Sequence, residues 1–281
     1  MRQRIEKVVS RIIDWYVPYL QVVILIATFV LIYWLHGADI LNKLLVNMGN
    51  VETVDTFKYY VIARAGNIVA AMVASLIMLF CIRKYNKEKS MPSGKEFHDH
   101  YYIGYWFCAK ILGYQNCNLR LIPNPMQFKL IINETFSDFI YDEGVHDNPD
   151  VNNHVVVESW NLQSETETTK TANLLIEDTY KITKEQLPDT VAEYPSFQIK
   201  NDRKNDSIRY KNESLIKGVV NIIKKMTIEY DVINVFPTLN ASNCYHIAKE
   251  AFPIRSEIRK RVYVFWQGMD NTFSQKGYRV F

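Results

Sequence analysis

The sequence predicts two N-terminal transmembrane helices followed by a mixed α/β domain, in which a sheet is flanked by helices. Three observations support this fold class. Two uncharged apolar stretches lie in the first third of the 281-residue chain. The composition is that of a folded protein, since 48% of the residues are hydrophobic and 22% are charged. Strand and helix patterns then alternate towards the C-terminus, which is typical of a sheet with parallel neighbours.

The two apolar stretches are each close to the roughly 20 residues that a helix needs to cross a bilayer. No charged side chain lies between Trp15 and Leu35, or between Ala65 and Ile82. A charged segment precedes the first stretch without a small-residue cleavage site, so it does not match a removable signal peptide. We therefore predict transmembrane helices at about 15–36 and 60–82.

Positive charge flanks the two spans on one side of the membrane. The flanking residues are Arg2, Arg4, Lys7 and Arg11 before the first span, and Arg83, Lys84, Lys87, Lys89 and Lys95 after the second. Because Lys and Arg remain on the cytoplasmic side of short loops, both termini should be cytoplasmic. This predicts a multi-pass inner-membrane protein with a membrane domain at 1–95, including a basic juxtamembrane linker, and a cytosolic domain at 96–281.

The second span has small residues at helical spacing. Gly66 and Ala70, Ala70 and Ala74, and Ala71 and Ser75 are each four residues apart, which lets helix backbones approach closely. One interpretation is a plain two-helix anchor with a tightly packed seam. The other is a homo-oligomer in which the second helix lines a pore, with Asn67, Ala71 and Ser75 as the pore-lining residues.

The elements of the cytosolic domain follow from hydrophobic period and turn residues. Strands are predicted at 118–122 and 126–132 around a Pro-Asn-Pro turn, followed by a short acidic helix at 134–142. Later strands are predicted at 154–162, 173–177, 196–200, 232–236, 261–267 and 278–281. Helices are predicted at 214–226 and 242–252, and a capping-box turn at 183–186. The aromatic segment 97–114 is either a core element or lies at the lipid headgroups.

Charge is distributed unevenly within the cytosolic domain. Residues 96–198 hold 6 basic and 16 acidic side chains, whereas residues 199–281 hold 15 basic and 8 acidic ones. Either the two halves attract each other, or the basic half meets an anionic partner.

The usual enzyme signatures are missing from the sequence. There is no Walker loop, GxGxxG, GxSxG or HExxH motif, and no cysteine pair with metal-ligand spacing. We therefore expect a protein that is not an enzyme and that needs no metal or cofactor.

The turn between the strand at 232–236 and the helix at 242–252 is the best candidate for a ligand site. Ligands of open α/β sheets bind beyond the carboxyl ends of strands, and a helix N-terminus there favours phosphate. The candidate ligand-binding residues are Thr238, Asn240, Ser242 and Asn243 as donors, Tyr245 for stacking, and Arg203, Arg209, Lys211 and Arg259 as cations. Helix capping by Asn240 and Ser242 is the competing interpretation.

Two features together resemble the two-transmembrane effectors of bacterial anti-phage nucleotide-signalling systems, of the CBASS or Hailong type. One is the layout of two N-terminal spans and a cytosolic domain. The other is the closing pattern, Ile233 to Pro237, then a polar turn, a helix and Val262 to Phe265, which is similar to the end of SAVED or CARF-type sensor folds.

This resemblance implies a mechanism. A cognate nucleotidyltransferase would make a cyclic or short single-stranded oligonucleotide as a second messenger. The cytosolic domain would bind it, and an oligomeric pore in the membrane would respond. The alternative is a membrane-tethered protein-interaction module that uses the two helices as a plain anchor.

Overall fold

A computed structural model describes residues 15–35, 55–92, 100–141, 146–147, 155–162, 170–201, 210–252, 261–268 and 270–280. The chain divides into two compact units. The first comprises Met1–Gly94 with Trp106–Gln115, and the second comprises Lys95–Tyr105 with Asn116–Phe281. Helix α3, Tyr102–Lys110, therefore has residues in both units.

The first unit contains two long apolar helices, which confirms the predicted transmembrane pair. Helix α1 spans Tyr16–Trp34, and helix α2 spans Asp55–Asn86 with a kink at Gly66. The parts long and apolar enough to cross a membrane are Tyr16–Trp34 and Gly66–Asn86. At the kink Gly66 has a φ of 59° and a ψ of −158°, a combination that only glycine adopts without strain. The kink therefore starts the second span.

The two membrane helices pack against each other, and a polar pair links them. Most of their large apolar side chains are exposed in the single chain, as expected of surfaces that face lipid. Gln21 on α1 and Asn86 at the end of α2 are both buried and exchange two hydrogen bonds of 2.8 and 3.0 Å. The amide of Asn86 also donates to the Leu112 carbonyl at 2.8 Å.

The second unit is built on a six-stranded mixed sheet, which confirms the predicted fold class. Its strands in chain order are β5 (Val155–Trp160), β6 (Thr171–Glu177), β7 (Ser196–Asn201), β9 (Val232–Pro237), β10 (Arg261–Val264) and β11 (Tyr278–Arg279). The order across the sheet is β11-β10-β9-β6-β7-β5. The four central strands are parallel, and the two edge strands are antiparallel to their neighbours.

Shorter strands lie outside this sheet. They are β1 (Ser90–Met91), β2 (Asn116–Asn118), β3 (Asp138–Ile140), β4 (His146–Asp147) and β8 (Tyr210–Lys211). β2 pairs with β3 and β4 with β8, both in parallel.

Three helices pack against one another and contact the main sheet. They are α4 (Asn124–Ile132), α5 (Glu213–Glu229) and α6 (Ala241–Ala251). Helix α6 packs between the other two, while α5 contacts β5 and β7, and α4 contacts β10 and β11. Leu175 of β6 and Phe236 of β9 belong to a buried cluster that also includes Ile182, Leu187, Phe265 and Phe273. The central strands are thus buried, as expected of parallel strands covered on both faces.

The structure overturns two of the predicted elements. Residues 126–132 are not a strand but most of α4, which has a proline in its first turn and is buried on nearly all sides. A short apolar run of this kind has no distinctive period. The described part of the predicted helix at 134–142, residues 134–141, is not helical, because Glu134 adopts a left-handed φ of 42° after α4, and the chain then enters strand β3.

The remaining predicted elements agree with the structure to within a few residues. The capping-box turn is present as a 3₁₀ turn at Lys184–Gln186, where the Thr183 amide donates to the Gln186 side chain at 3.0 Å. The predicted strand at 118–122 is only partly correct, since β2 is followed by a second 3₁₀ turn, Leu119–Leu121. The aromatic segment contributes α3, and its Tyr105 is fully buried.

Candidate functional site

A cavity of about 200 Å³ lies in the second unit at the carboxyl ends of β6, β9 and β10. Its walls come from the residues that directly follow these three strands and from the segment that leads into α4. The lining residues are Arg120, Ile122, Pro123, Asn124, Gln127, Thr179, Tyr180, Pro237, Thr238, Leu239, Asn240, Ala241, Trp266 and Gln267.

The cavity lies at a point where the chain leaves neighbouring strands in opposite directions. After β6 the chain continues to β7 on one side, whereas after β9 it continues through α6 to β10 on the other side. The carboxyl ends at such a switch point are where open α/β sheets bind ligands. The position predicted from the turn after β9 is therefore the position of this cavity.

Two helices begin at the cavity. Asn124, the first residue of α4, and Ala241, the first residue of α6, both line it. The first backbone N–H groups of a helix have no partner within the helix, and the helix dipole places partial positive charge there. Arg120 adds a full positive charge to the same lining. The start of α4 together with Arg120 favours an anionic group such as a phosphate, whereas the start of α6 already has the Asp178 carboxylate beside it.

The predicted donors after β9 make hydrogen bonds within the protein. The Asp178 carboxylate accepts from the Asn243 side chain at 2.8 Å, and from the side chain and backbone amides of Asn240 at 3.2 and 3.4 Å. Asn240 Oδ1 caps α6 by accepting from the Asn243 backbone at 2.9 Å. Thr238 Oγ1 donates to the Tyr180 carbonyl at 2.8 Å. The Asn240 side chain therefore caps helix α6, which was the competing interpretation for this residue.

Asn243 also ties α6 to α5. Its Oδ1 accepts from the Asn212 backbone amide at 2.9 Å, while the Asn212 side chain caps α5 by accepting from Leu215 at 3.0 Å. Asn243 and Ser242 are both fully buried and are not among the residues that line the cavity. Of the predicted donors, Thr238 and Asn240 are the two in the cavity wall.

The other predicted ligand residues lie away from this wall. Tyr245 stacks on Tyr141 with ring centroids 4.1 Å apart, and its hydroxyl accepts from Lys249 at 2.9 Å. Lys211 Nζ lies 3.7 Å from the Glu213 carboxylate. Arg203, Arg209 and Arg259 lie outside the described residues.

Nine of the lining residues lie outside the turn after β9 and were missed by the sequence analysis. They are Arg120, Ile122, Pro123, Asn124, Gln127, Thr179, Tyr180, Trp266 and Gln267. Asn124 and Gln127 are three residues apart on α4 and would have been recognised as neighbours if that segment had been predicted as a helix. The Pro-rich start of α4 was the available signal for a helix.

The three predicted pore-lining residues differ in exposure within the single chain. Ala71 is fully buried, whereas Asn67 and Ser75 are half-buried. The Ser75 hydroxyl is buried without a hydrogen-bond partner among the described residues. A role for these residues in a pore stays a prediction.

A protein-family profile matches residues 3–281, and its description is "SMODS- and Ubiquitin system-associated 2TM effector domain". The chain belongs to this family. Membership confirms the resemblance to two-transmembrane effectors of nucleotide-signalling systems. A search of curated protein sequences gave no match.

Among solved structures, the chain is similar to an Acinetobacter baumannii Cap4 SAVED/CARF-domain receptor. The complex with the cyclic trinucleotide 2′3′3′-cAAA has a TM-score of 0.41 and 9% identity over 63% of this chain and 41% of the receptor chain. The complex with 3′3′3′-cAAA has a TM-score of 0.40 and 9% identity over 62% and 41% of the two chains. The matched region is thus less than half of the receptor's length.

Proposed function

We propose that this effector of nucleotide-signalling systems binds an oligonucleotide second messenger in the cavity and gates an oligomeric transmembrane pore. The messenger is a cyclic oligonucleotide or a short single-stranded oligomer made by a cognate nucleotidyltransferase. The protein acts in anti-phage defence at the inner membrane, with both termini in the cytoplasm. It performs no catalysis and needs no cofactor.

The convergence of positive charge on one cavity is the observation that supports this proposal most. The N-terminus of α4 and Arg120 meet at the switch point of the sheet, next to the N-terminus of α6, where amides of Asn240 and Asn243 already donate to the Asp178 carboxylate. Each element alone is common, but together they match the needs of a phosphate group. The phosphodiester of the ligand would lie against Arg120 and the start of α4 at Asn124.

The remaining wall suits a nucleoside. Tyr180 and Trp266 contribute aromatic rings, on which a base can stack. The cavity of about 200 Å³ is smaller than the roughly 300–1,000 Å³ pockets that enclose drug-sized ligands. It is therefore too small to enclose a whole oligonucleotide, and most of such a ligand would lie outside it.

Gating requires that the ligand binds one assembly state more tightly than another, because equal affinity shifts no equilibrium. In the proposed homo-oligomer, Asn67 and Ser75 on α2 face the conducting path in the ligand-selected state. Ligand binding changes how the protomers pack, and the second spans open or close the pore.

Nucleotide binding to the intact chain in lipid nanodiscs tests the first half of the proposal. The panel contains cyclic di- and trinucleotides and short DNA and RNA oligomers at two salt concentrations. Binding to at least one of them should weaken as salt rises, since phosphate contacts release counterions. Failure of every member to bind would favour the alternative, a protein-interaction module with the helices as a plain anchor.

Ion flux through liposomes that contain the intact chain tests the second half. Asn67→Leu and Ser75→Leu should change the flux that follows addition of the bound nucleotide. Ile77→Leu is the matched control, because Ile77 is on the same helix and is 60% exposed. Identical ion flux from the wild type and all three variants would indicate that the two helices serve only as a membrane anchor.

A further inference from the structure

Helix α3 carries apolar side chains on both of its faces. Lys110 is the one charged residue among its nine. On one face Tyr105 and Cys108 are fully buried. On the other face Ile103 and Trp106, three residues apart, are 73% and 41% exposed. A helix that is apolar all round is normally covered on every side by protein or by lipid. The exposed face of α3 therefore needs a partner.

The end of α3 is bonded to the end of the second membrane helix. Arg83 Nη1 donates to the Lys110 and Ile111 carbonyls at 2.6 and 2.9 Å. Asn86 Nδ2 donates to the Leu112 carbonyl at 2.8 Å. All of these residues belong to the first unit. The hydrogen bonds therefore attach the end of α3 to the membrane helices themselves.

The hydrogen-bonded pair of Gln21 and Asn86 gives the depth of this attachment. Gln21 is five residues after Tyr16, where the first span begins. With a helical rise of about 1.5 Å per residue, Gln21 lies roughly 7 Å inside that span. A helix at a membrane surface buries its apolar face about 5–10 Å into the boundary between headgroups and acyl chains. The end of α3 is thus attached at the depth of that boundary.

The same end of the first unit has the side chains that are typical of a membrane interface. Tyr16 and Tyr19 on α1 and Tyr85 on α2 are each more than half exposed. Exposed cations accompany these rings, namely Arg83, Lys84, Lys87, Lys89 and Lys110. Trp and Tyr are enriched at the level of the headgroups, and Lys and Arg are attracted to anionic lipids there. The position of Trp106 matches this pattern.

We infer that Ile103 and Trp106 form a lipid-contact face, with which α3 lies on the bilayer surface beside the spans. The partner is lipid, because the helix is bonded to the end of a span whose own apolar side chains are exposed in the same way. The aromatic segment then has both of the roles considered for it, with Tyr105 in the core and Trp106 at the headgroups. This contact goes beyond the proposed function and does not depend on nucleotide binding.

Spin labels test the contact on the intact chain in vesicles of phosphatidylethanolamine and phosphatidylglycerol. The label is attached to Ile103→Cys or, as the matched control, to Ile228→Cys, both in a Cys81→Ala background. Ile228 is a helical isoleucine of α5 that is 83% exposed. Oxygen concentrates in lipid, whereas a charged nickel complex stays in water. We expect the ratio of oxygen to nickel collisions to be several times higher at Ile103→Cys than at the control.

Tryptophan fluorescence tests the same face without a label. The emission of Trp106 is obtained by subtracting the emission of Trp106→Phe from that of the wild type. Bromine at the headgroup end of the acyl chains should quench it about twofold more strongly than bromine at the far end. Trp160→Phe is the control, because Trp160 is on β5 of the main sheet, where Lys184 lies over its ring. The emission of Trp160 should be quenched by neither lipid.

Two outcomes overturn the inference. Equal collision ratios at Ile103→Cys and Ile228→Cys would place the face in water. Few collisions with either reagent at Ile103→Cys, without bromine quenching of Trp106, would place the face against a second copy of the chain or another protein. If Trp106→Phe does not fold, the spin-label comparison decides alone.

Discussion

Helices α4 and α6 begin at the same cavity but use their polar side chains differently. At the start of α6, Asn240 and Asn243 make hydrogen bonds to Asp178 and to backbone amides. At the start of α4, Asn124 and Gln127 donate to carbonyls, and the buried Oε1 of Gln127 has no partner among the described residues. The α6 N-terminus is bonded to a carboxylate of the protein itself, whereas the side chains at the α4 N-terminus donate to backbone carbonyls.

This difference in hydrogen bonding separates residues that stabilise the structure of the site from residues that are proposed to contact a ligand. Asp178 is held in place by three N–H donors, so the loops after β6 and β9 form one hydrogen-bonded unit. A rigid frame of this kind positions the binding groups of the opposite wall. The comparison predicts loss of stability on one side of the cavity and loss of ligand recognition on the other.

Asn243→Ala should have the largest effect on stability. It removes a donor from Asp178 and leaves the Asn212 backbone amide without its acceptor, both in a buried setting. We expect a loss of about 2–4 kcal/mol, seen as a clearly lower midpoint of thermal unfolding of the intact chain in detergent. Asn124→Ala, in which a half-buried amide is lost, should cost only about 1 kcal/mol. Equal midpoints for the two variants would contradict the comparison.

Arg120→Ala should weaken nucleotide binding while leaving stability unchanged. Arg120 is exposed, and it lines the cavity where the phosphate is proposed to bind. We expect about a tenfold loss of affinity for the nucleotide that binds the wild type. The slope of log affinity against log salt concentration should fall by about the amount that one phosphate contact contributes. Lys249→Ala, an exposed cation outside the cavity wall, should bind like wild type. An unchanged salt slope in Arg120→Ala would place the phosphate elsewhere.

The polar pair in the membrane unit should contribute less than the Asn243 network. Gln21→Leu and Asn86→Leu should each destabilise the intact chain by about 1 kcal/mol. The loss of stability should be larger in Asn86→Leu, because Asn86 also donates to the Leu112 carbonyl. Unfolding in increasing denaturing detergent measures the effect. The double variant should cost less than the sum, because the two changes break the same pair. Thr28→Ala is the control, since Thr28 Oγ1 donates within its own helix, to the Ile24 carbonyl. Strict additivity would show that the pair is not coupled.

The remaining prediction concerns the reactivity of three buried thiols. Burial raises the pKa of Cys108 to about 12, and raises the pKa of Cys117 and Cys244 well above the ordinary value of 9.0. All three should resist maleimide at pH 8 in the native chain and react after unfolding. Because the unfolded chain releases these protons at lower pH than the folded chain does, stability should fall as pH rises from about 9 towards 12. Rapid labelling of Cys244 in the native chain would contradict its burial.

Much of the fold was predictable because its signals are long or strongly periodic. The two spans have the length of a bilayer, and the stripe of Leu215, Val219, Ile223 and Met226 defines α5. The run from Ile233 to Phe236 reads as a buried strand, as expected of a parallel strand covered on both faces. Helix α4 was not predictable in this way, since its residues are buried on nearly all sides and no polar face marks its period.

The place of the candidate site was predictable, but most of its wall was not. The turn after β9 follows from the rule for open α/β sheets and from the capping polar residues. Arg120, Gln127 and Trp266 come from two segments that are far apart in the sequence, and only the sheet order brings them together. Capping rules identified Asn240 correctly as a polar N-terminal residue, but they do not distinguish an internal cap from a ligand contact.

The most direct test of the nucleotide site is a cryo-electron microscopy structure of the intact chain with the nucleotide that binds tightest in the panel. We predict density for one nucleotide unit in the cavity, with its phosphate beside Arg120 and the start of α4, and its base beside Trp266. Bound nucleotide at another surface of the protein, with this cavity empty, would contradict the assignment.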